Sequence, residues 1–354
     1  MPFIHSVECS FPDNYYTQNE ILNELGKVWK KHFKNFERIE EIQKNSQVEH
    51  RHLCLPLESY LHLKGLKQKN DFWIKHALEL SFKAVSNLLN KSNINPAEIK
   101  LLVSSTVTGF SVPTIEAKLM NLLPFDSGTK RLPIFGLGCL AGVAGLNRTI
   151  DYLKGHPKEA AIFFTTELCS LTFQFEDFSI PNVISTALFG DGCAAVLLLG
   201  DDHPFASKAK IKLLKGYSKF FPKTENIMGW EYIDTGAKVV LNAEVPTIVK
   251  NFIPSFLASA LDDTKLTLNE IKYILSHPGG PKVLESLADT LNLQKSDLNF
   301  SWESLRNKGN MSSVSVLYIL SEFLKSKYDK NKAGMMLALG PAFCAELTLF
   351  KTVD

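Results

Sequence analysis

NPAEIKLLVSS (residues 95–105) and TLNEIKYILSH (residues 267–277) follow one script: a polar turn, an acidic residue, Ile-Lys, and an apolar run of strand length. About 172 residues separate them. Nearly the same offset carries Gly138-Cys139 onto Gly309-Asn310. A helical stretch of small and apolar residues follows each pair, AGVAGLNRTIDYLKGH (141–156) and MSSVSVLYILSEFLK (311–325). GDGCAAVLLLG (190–200) and GPAFCAELTLFK (340–351) make a third pair, each a glycine turn leading into an apolar strand. Three matches in one order mean that the second half of the chain repeats the first.

Outward from these pairs, short apolar runs alternate with helical patterns, the signature of an α/β fold. Strands are expected near 99–107, 131–136, 159–166 and 192–199, with counterparts near 271–276, 333–339 and 344–350. Their apolar residues are continuous rather than alternating, which predicts sheets covered on both faces. RLPIFG (131–136) reads as a short buried strand. The polar, proline-bearing DDHPFASKAK (201–210) fits a boundary, dividing the chain into 1–205 and 206–354. Near the N-terminus Ile21, Leu22, Leu25, Val28, Trp29, Phe33 and Phe36 recur at helical spacing, predicting an amphipathic helix that caps the first half.

The chain has 354 residues, 45% hydrophobic and 21% charged, the composition of a folded globular protein with room for two core-forming units. Lys plus Arg at 39 against Asp plus Glu at 37 is too balanced to argue for a nucleic-acid or membrane-surface partner. No apolar run is long enough to span a bilayer. The six cysteines lie scattered, without CxxC pairs or zinc spacing, and the start MPFIHSVECS has no signal-peptide pattern. Free thiols in a reducing cytoplasm are expected.

Cys139 stands where an apolar strand ends in glycine and a small-residue helix begins, so another helix or a large ligand could approach the backbone closely. A helix start favours a thiolate and can hydrogen-bond a developing oxyanion. A structural buried thiol would explain the residue equally well by itself. Its positional twin Asn310 could be a plain helix cap. Two helix starts related by a pseudo-twofold would nevertheless face one another at the junction of the halves. His277 ends the strand YILS and opens the turn His277-Pro278-Gly279-Gly280-Pro281, at the strand end where α/β proteins place ligand chemistry.

At these residues the chain resembles the type III polyketide synthases, the chalcone-synthase-like branch of the thiolase superfamily, and the resemblance covers nearly the whole chain. It is carried by GLGCLAGVAGL (136–146), ELCSLTF (167–173), ALFGDGCAA (187–195), SHPGGPKVL (276–284), GNMSSVSVLYIL (309–320) and GPAFCAEL (340–347). The resemblance implies a layered αβαβα fold of duplicated halves, a homodimer, and catalysis with no metal or organic cofactor. It implies Cys139, His277 and Asn310 as the catalytic set and Phe189 as a gate. Val239 falls at a second gating position, and Val112, Cys169, Thr172 and Ser312 at positions lining the acyl cavity.

The chemistry so implied is loading of an acyl-CoA on Cys139, its thiolate paired with the His277 imidazolium, and extension by decarboxylative condensation with malonyl-CoA. Small apolar residues at 239 and 112 depart from the plant pattern. They point to a fatty acyl starter and an alkylpyrone or alkylresorcinol product, as in the family's bacterial members. Arg38, Lys44 and Lys282 fall near the positions that meet coenzyme A, although Glu41 and Asn45 replace two basic residues there. Alternatives are a ketoacyl-acyl-carrier-protein synthase III and a non-catalytic acyl-binding protein. A papain-like hydrolase shares the order Cys, His, Asn, but Cys139 has neither its motif nor its place near the N-terminus.

Overall fold

Nine strands form one sheet, in the computed structural model of residues 1–353. The order is Ile271–Ser276, Ala333–Gly340, Cys344–Thr352, Ile211–Phe220, Phe3–Ser10, Asp191–Leu199, Ala160–Leu168, Ile99–Thr106 and Lys130–Phe135. Strand directions reveal the duplication. Ile99–Thr106 runs parallel to Ala160–Leu168, which is antiparallel to Asp191–Leu199, itself antiparallel to Phe3–Ser10. In the other half Ile271–Ser276, Ala333–Gly340, Cys344–Thr352 and Ile211–Phe220 repeat this succession. The halves join edge to edge through two antiparallel pairs, Phe3 with Lys212 and Ile4 with Ile211.

Both segments that open the duplicated script are built alike. Asn95 with Glu98, and Thr267 with Glu270, form capping boxes on single 3₁₀ turns that launch the strands Ile99–Thr106 and Ile271–Ser276. Successive strand residues then feed different cores, because side chains alternate across a sheet. Leu102, Ile162 and Phe164 pack against the helices Gln18–Trp29 and Gly65–Ser92 on one outer face. Leu101, Val103, Ala161 and Phe163 turn inward to Ala141–Gly155 and Val314–Lys325. On the second outer face Met335, Leu337 and Leu347 meet Val245–Thr264 and Pro281–Leu291. The result is the αβαβα layering, with the two small-residue helices as its centre. Ala160–Leu168 and Asp191–Leu199 are buried at every position, as continuous apolar strands require. No helix among the described residues is long and apolar enough to cross a membrane.

Two expectations need correcting. Lys130–Phe135 is not buried: it pairs with Ile99–Thr106 alone, forms the sheet edge, and leaves Leu132 40% and Phe135 53% exposed. The N-terminal amphipathic pattern is two helices, Gln18–Trp29 and Glu37–Asn45, with Phe33 and Phe36 packed from the connection. Lys27 with Lys31, and Lys30 with Lys34, would stand as like-charged pairs four residues apart on a continued helix, which opposes its extension.

Candidate active site

Cys139 lies in the 3₁₀ turn Gly138–Leu140 that leads into Ala141–Gly155. Gly138 adopts φ +57° and lies against the other half of the chain, since a Cβ there would stand 2.7 Å from Pro341 Cδ. A Cβ on Gly142 would stand 2.3 Å from the Ser313 carbonyl oxygen. What the small residues admit beside the cysteine is therefore the other central helix, whose start carries Ser312 and Ser313.

That helix start also carries Asn310, held by a short bridge to Phe189. The Asn310 N–H donates to Leu188 O at 2.7 Å and the Gly190 N–H donates to Asn310 O at 3.0 Å. The Asn310 amide oxygen accepts from the Ser312 N–H at 2.8 Å, and its NH₂ donates to Gly279 O at 3.3 Å. Gly279 belongs to the turn after His277, whose own N–H is fixed on Leu337 O at 2.8 Å. Ser312, at φ +51°, sits beside the Cys139 thiol. Two strand-end loops and the turn between the helices Asn299–Lys308 and Val314–Lys325 thus converge, bringing Cys139, His277 and Asn310 into one region.

His277 is 5% exposed, and neither ring nitrogen has a hydrogen-bond partner among the described residues. A buried imidazole with both nitrogens free is costly unless a ligand completes it. Burial pushes the Cys139 thiol up to about 11, with the Ser312 hydroxyl pulling the other way and the Glu167 carboxylate adding to the rise. Burial also pushes His277 down to about 3. Both shifts oppose the thiolate–imidazolium pair expected from the sequence, because taking the two groups from water disfavours their charged forms. Burial favours a neutral thiol and a neutral imidazole, an arrangement in which His277 can accept the thiol proton as sulfur attacks.

The pocket residues divide. Cys169, Phe173 and Phe189 form one buried cluster, joined by the half-buried Trp230 and Val239. The Phe189 and Trp230 rings lie 5.5 Å apart, and the Thr172 hydroxyl donates to Cys169 O at 2.7 Å. Val112 does not join them: it is 97% exposed. Arg38 and Lys44, on Glu37–Asn45, and Lys282, at the start of Pro281–Leu291, are exposed at the surface.

Two buried carboxylates escaped sequence reasoning. Glu167 accepts from the Ser313 hydroxyl at 2.7 Å, the Thr108 hydroxyl at 2.7 Å and the Val107 N–H at 3.1 Å, tying the strand-end loop 106–108 to the helix start beside Cys139. Asp191 accepts from the Cys54 N–H at 2.7 Å and from the Ser170 N–H at 2.8 Å and hydroxyl at 2.5 Å. Burial lifts its carboxyl to about 6 against the pull of those donors. A carboxylate inside the apolar runs AAIFFTTEL and DGCAAVLLL was the available signal. Asp191→Ala strands three buried donors and is expected to lower stability by about 3–5 kcal/mol, read from the denaturant midpoint. An unchanged midpoint would count against a structural role.

Comparison with known proteins gives consistent likenesses. Residues 33–217 match the family model described as FAE1/Type III polyketide synthase-like protein, and residues 212–354 match Chalcone and stilbene synthases, C-terminal domain. The 1,3,6,8-tetrahydroxynaphthalene synthase of Streptomyces peucetius subsp. caesius is 35% identical over 98% of this chain and 92% of its own. Phloroglucinol synthase of Pseudomonas fluorescens is 28% identical over 96% of each chain. The solved structure of 1,3,6,8-tetrahydroxynaphthalene synthase from Streptomyces coelicolor superimposes with a TM-score of 0.93 at 25% identity, covering 99% of both chains.

Proposed function

Since this chain belongs to the type III polyketide synthase family of acyltransferase-type condensing enzymes, we propose that it loads a fatty acyl-CoA on Cys139 and extends it with malonyl-CoA. In this reading the sulfur of Cys139 attacks the thioester carbonyl while His277 takes its proton, and coenzyme A leaves as thiol after receiving a proton. Malonyl-CoA then loses CO₂. The electron pair of the broken carbon–carbon bond becomes an enolate whose oxygen lies against the His277 N–H and the Asn310 NH₂. The enolate carbon attacks the acyl–sulfur carbonyl, a new carbon–carbon bond forms, and the Cys139 thiolate departs to be reprotonated. The carrying observation is the convergence of Cys139 with a buried, unpartnered His277 and an Asn310 amide.

Phe189 and Val239 would gate and line the cavity for the growing chain, with Cys169, Thr172 and Ser312 on its walls. The apolar cluster around Val239 supports a long acyl starter and an alkylpyrone or alkylresorcinol product. Val239→Phe is then expected to lower turnover of the longest starters by about 10–200-fold relative to the shortest, read as product masses across an acyl-CoA series. A second reading is a polyhydroxylated aromatic product, favoured by the likeness to two relatives named for such products. Incubation with malonyl-CoA, with and without acyl-CoAs from short to long, separates the two by product mass. Release of free acid alone, or binding without turnover, would overturn both.

A homodimer is part of the proposal. Phe110 and Phe135 each pack on Tyr232, and with Val112 and Leu132 they leave an apolar surface beside the sheet edge Lys130–Phe135. Sedimentation of the purified chain at twice the monomer mass is the expected result.

A further inference from the structure

Arg51 occupies the centre of the short strand His50–His52, paired with Tyr15–Thr17, and is wholly buried while both flanking histidines are half-exposed. Its guanidinium has no carboxylate within ion-pair distance among the described residues. One Nη donates to two carbonyls, Thr186 O at 2.7 Å and Phe189 O at 2.7 Å, at the C-terminal end of Ile180–Leu188, where helix carbonyls lack internal partners. The other Nη donates to the Gln18 amide oxygen at 2.8 Å. Gln18 in turn donates to Ala187 O at 2.9 Å and to Gln43 Oε1 at 2.8 Å.

The aliphatic stem of Arg51 backs the other side of the bridge. A Cβ on Gly309 would stand 2.9 Å from Arg51 Cδ and 2.4 Å from Leu188 O, and one on Gly190 would stand 2.5 Å from Lys308 O. Glycine at both positions lets the segments carrying Phe189 and Asn310 lie against each other and against the arginine. Because the two residues share one bridge, a displacement of the gate is passed to the amide. We infer that Arg51 is a positioning residue that locks the Phe189 gate and the Asn310 amide into one unit, keeping release of CO₂ in step with carbon–carbon bond formation. The inference rests on the reading of the site under Proposed function. A lysine would satisfy one of the two carbonyls and lack the planar fork, so it replaces this clamp only in part.

The test compares Arg51→Met and Arg51→Lys in the full chain, measuring CO₂ released, carbon–carbon bonds formed and melting temperature. The parent is expected to release one CO₂ per bond formed. Arg51→Met is expected to slow condensation by about 10–100-fold and to release CO₂ in excess, the surplus enolate taking a proton to leave acetyl-CoA; Arg51→Lys should fall between. A purely destabilising change would lower both rates with the folded fraction and keep the ratio at one. A folded Arg51→Met with the parent's ratio overturns the inference. Should that variant not fold, an unchanged ratio in Arg51→Lys does so instead. Cys139→Ala is run alongside, and bond formation by that variant would refute the site itself, independently of Arg51.

Discussion

Supplied with malonyl-CoA, the Asn310→Ala variant is expected to release CO₂ about 10²–10³ times more slowly than the parent chain, and His277→Ala likewise. In the proposed mechanism the loss would come from the transition state, where negative charge grows on the thioester oxygen. In water that charge would reorganise its solvent, whereas here the donors stand in place before reaction. The Asn310 amide is oriented by the Ser312 N–H on its oxygen and Gly279 O on its nitrogen, and His277 is held by its own backbone bond to Leu337. Parent-like release of CO₂ by either variant would remove that residue from the enolate site. Asn310→Asp tests the donor requirement at nearly constant volume, because a carboxylate can only accept and repels the enolate.

Cys139→Ala is expected to give no acyl-enzyme in the intact-protein mass spectrum and no condensation product, while still releasing CO₂ from malonyl-CoA. In the proposed mechanism the two half-reactions separate, because sulfur would hold the electrophile and the His277–Asn310 pair would prepare the nucleophile. A surviving acyl adduct would place the loading residue elsewhere. The other cysteines are poor substitutes by their place in the fold: Cys54, Cys169 and Cys193 are buried, and Cys9 is fixed in the paired strand Phe3–Ser10. Cys344 is held half-buried in the pairing of its strand with Ala333–Gly340.

Strands and duplication were legible because both are local. Apolar runs of strand length and a capping pattern repeated at constant offset need no knowledge of neighbours, and the strand ends fall within a few residues of those expected. Burial of Lys130–Phe135 was misjudged because an apolar strand looks the same whether or not a helix covers it. The Val112 position could be inferred by likeness, but its exposure could not. Arg51 and Glu167 were passed over for one reason: a charged residue carries no mark of burial in a single sequence, and their partners stand as far away as Phe189 and Ser313.

The sequence by itself determined the α/β class and the duplication, and its motifs carry the family likeness that puts forward Cys139, His277 and Asn310, since periodicity, turn chemistry and motif order are properties of the chain alone. Tertiary structure decided what those residues meet. It seated Gly142 on the Ser313 backbone, closed the Phe189–Asn310 bridge over Arg51, and left His277 buried and Cys139 part-buried so that desolvation opposes the ion pair. Such properties depend on atoms distant in sequence and on the local dielectric, which exist once the two halves have packed.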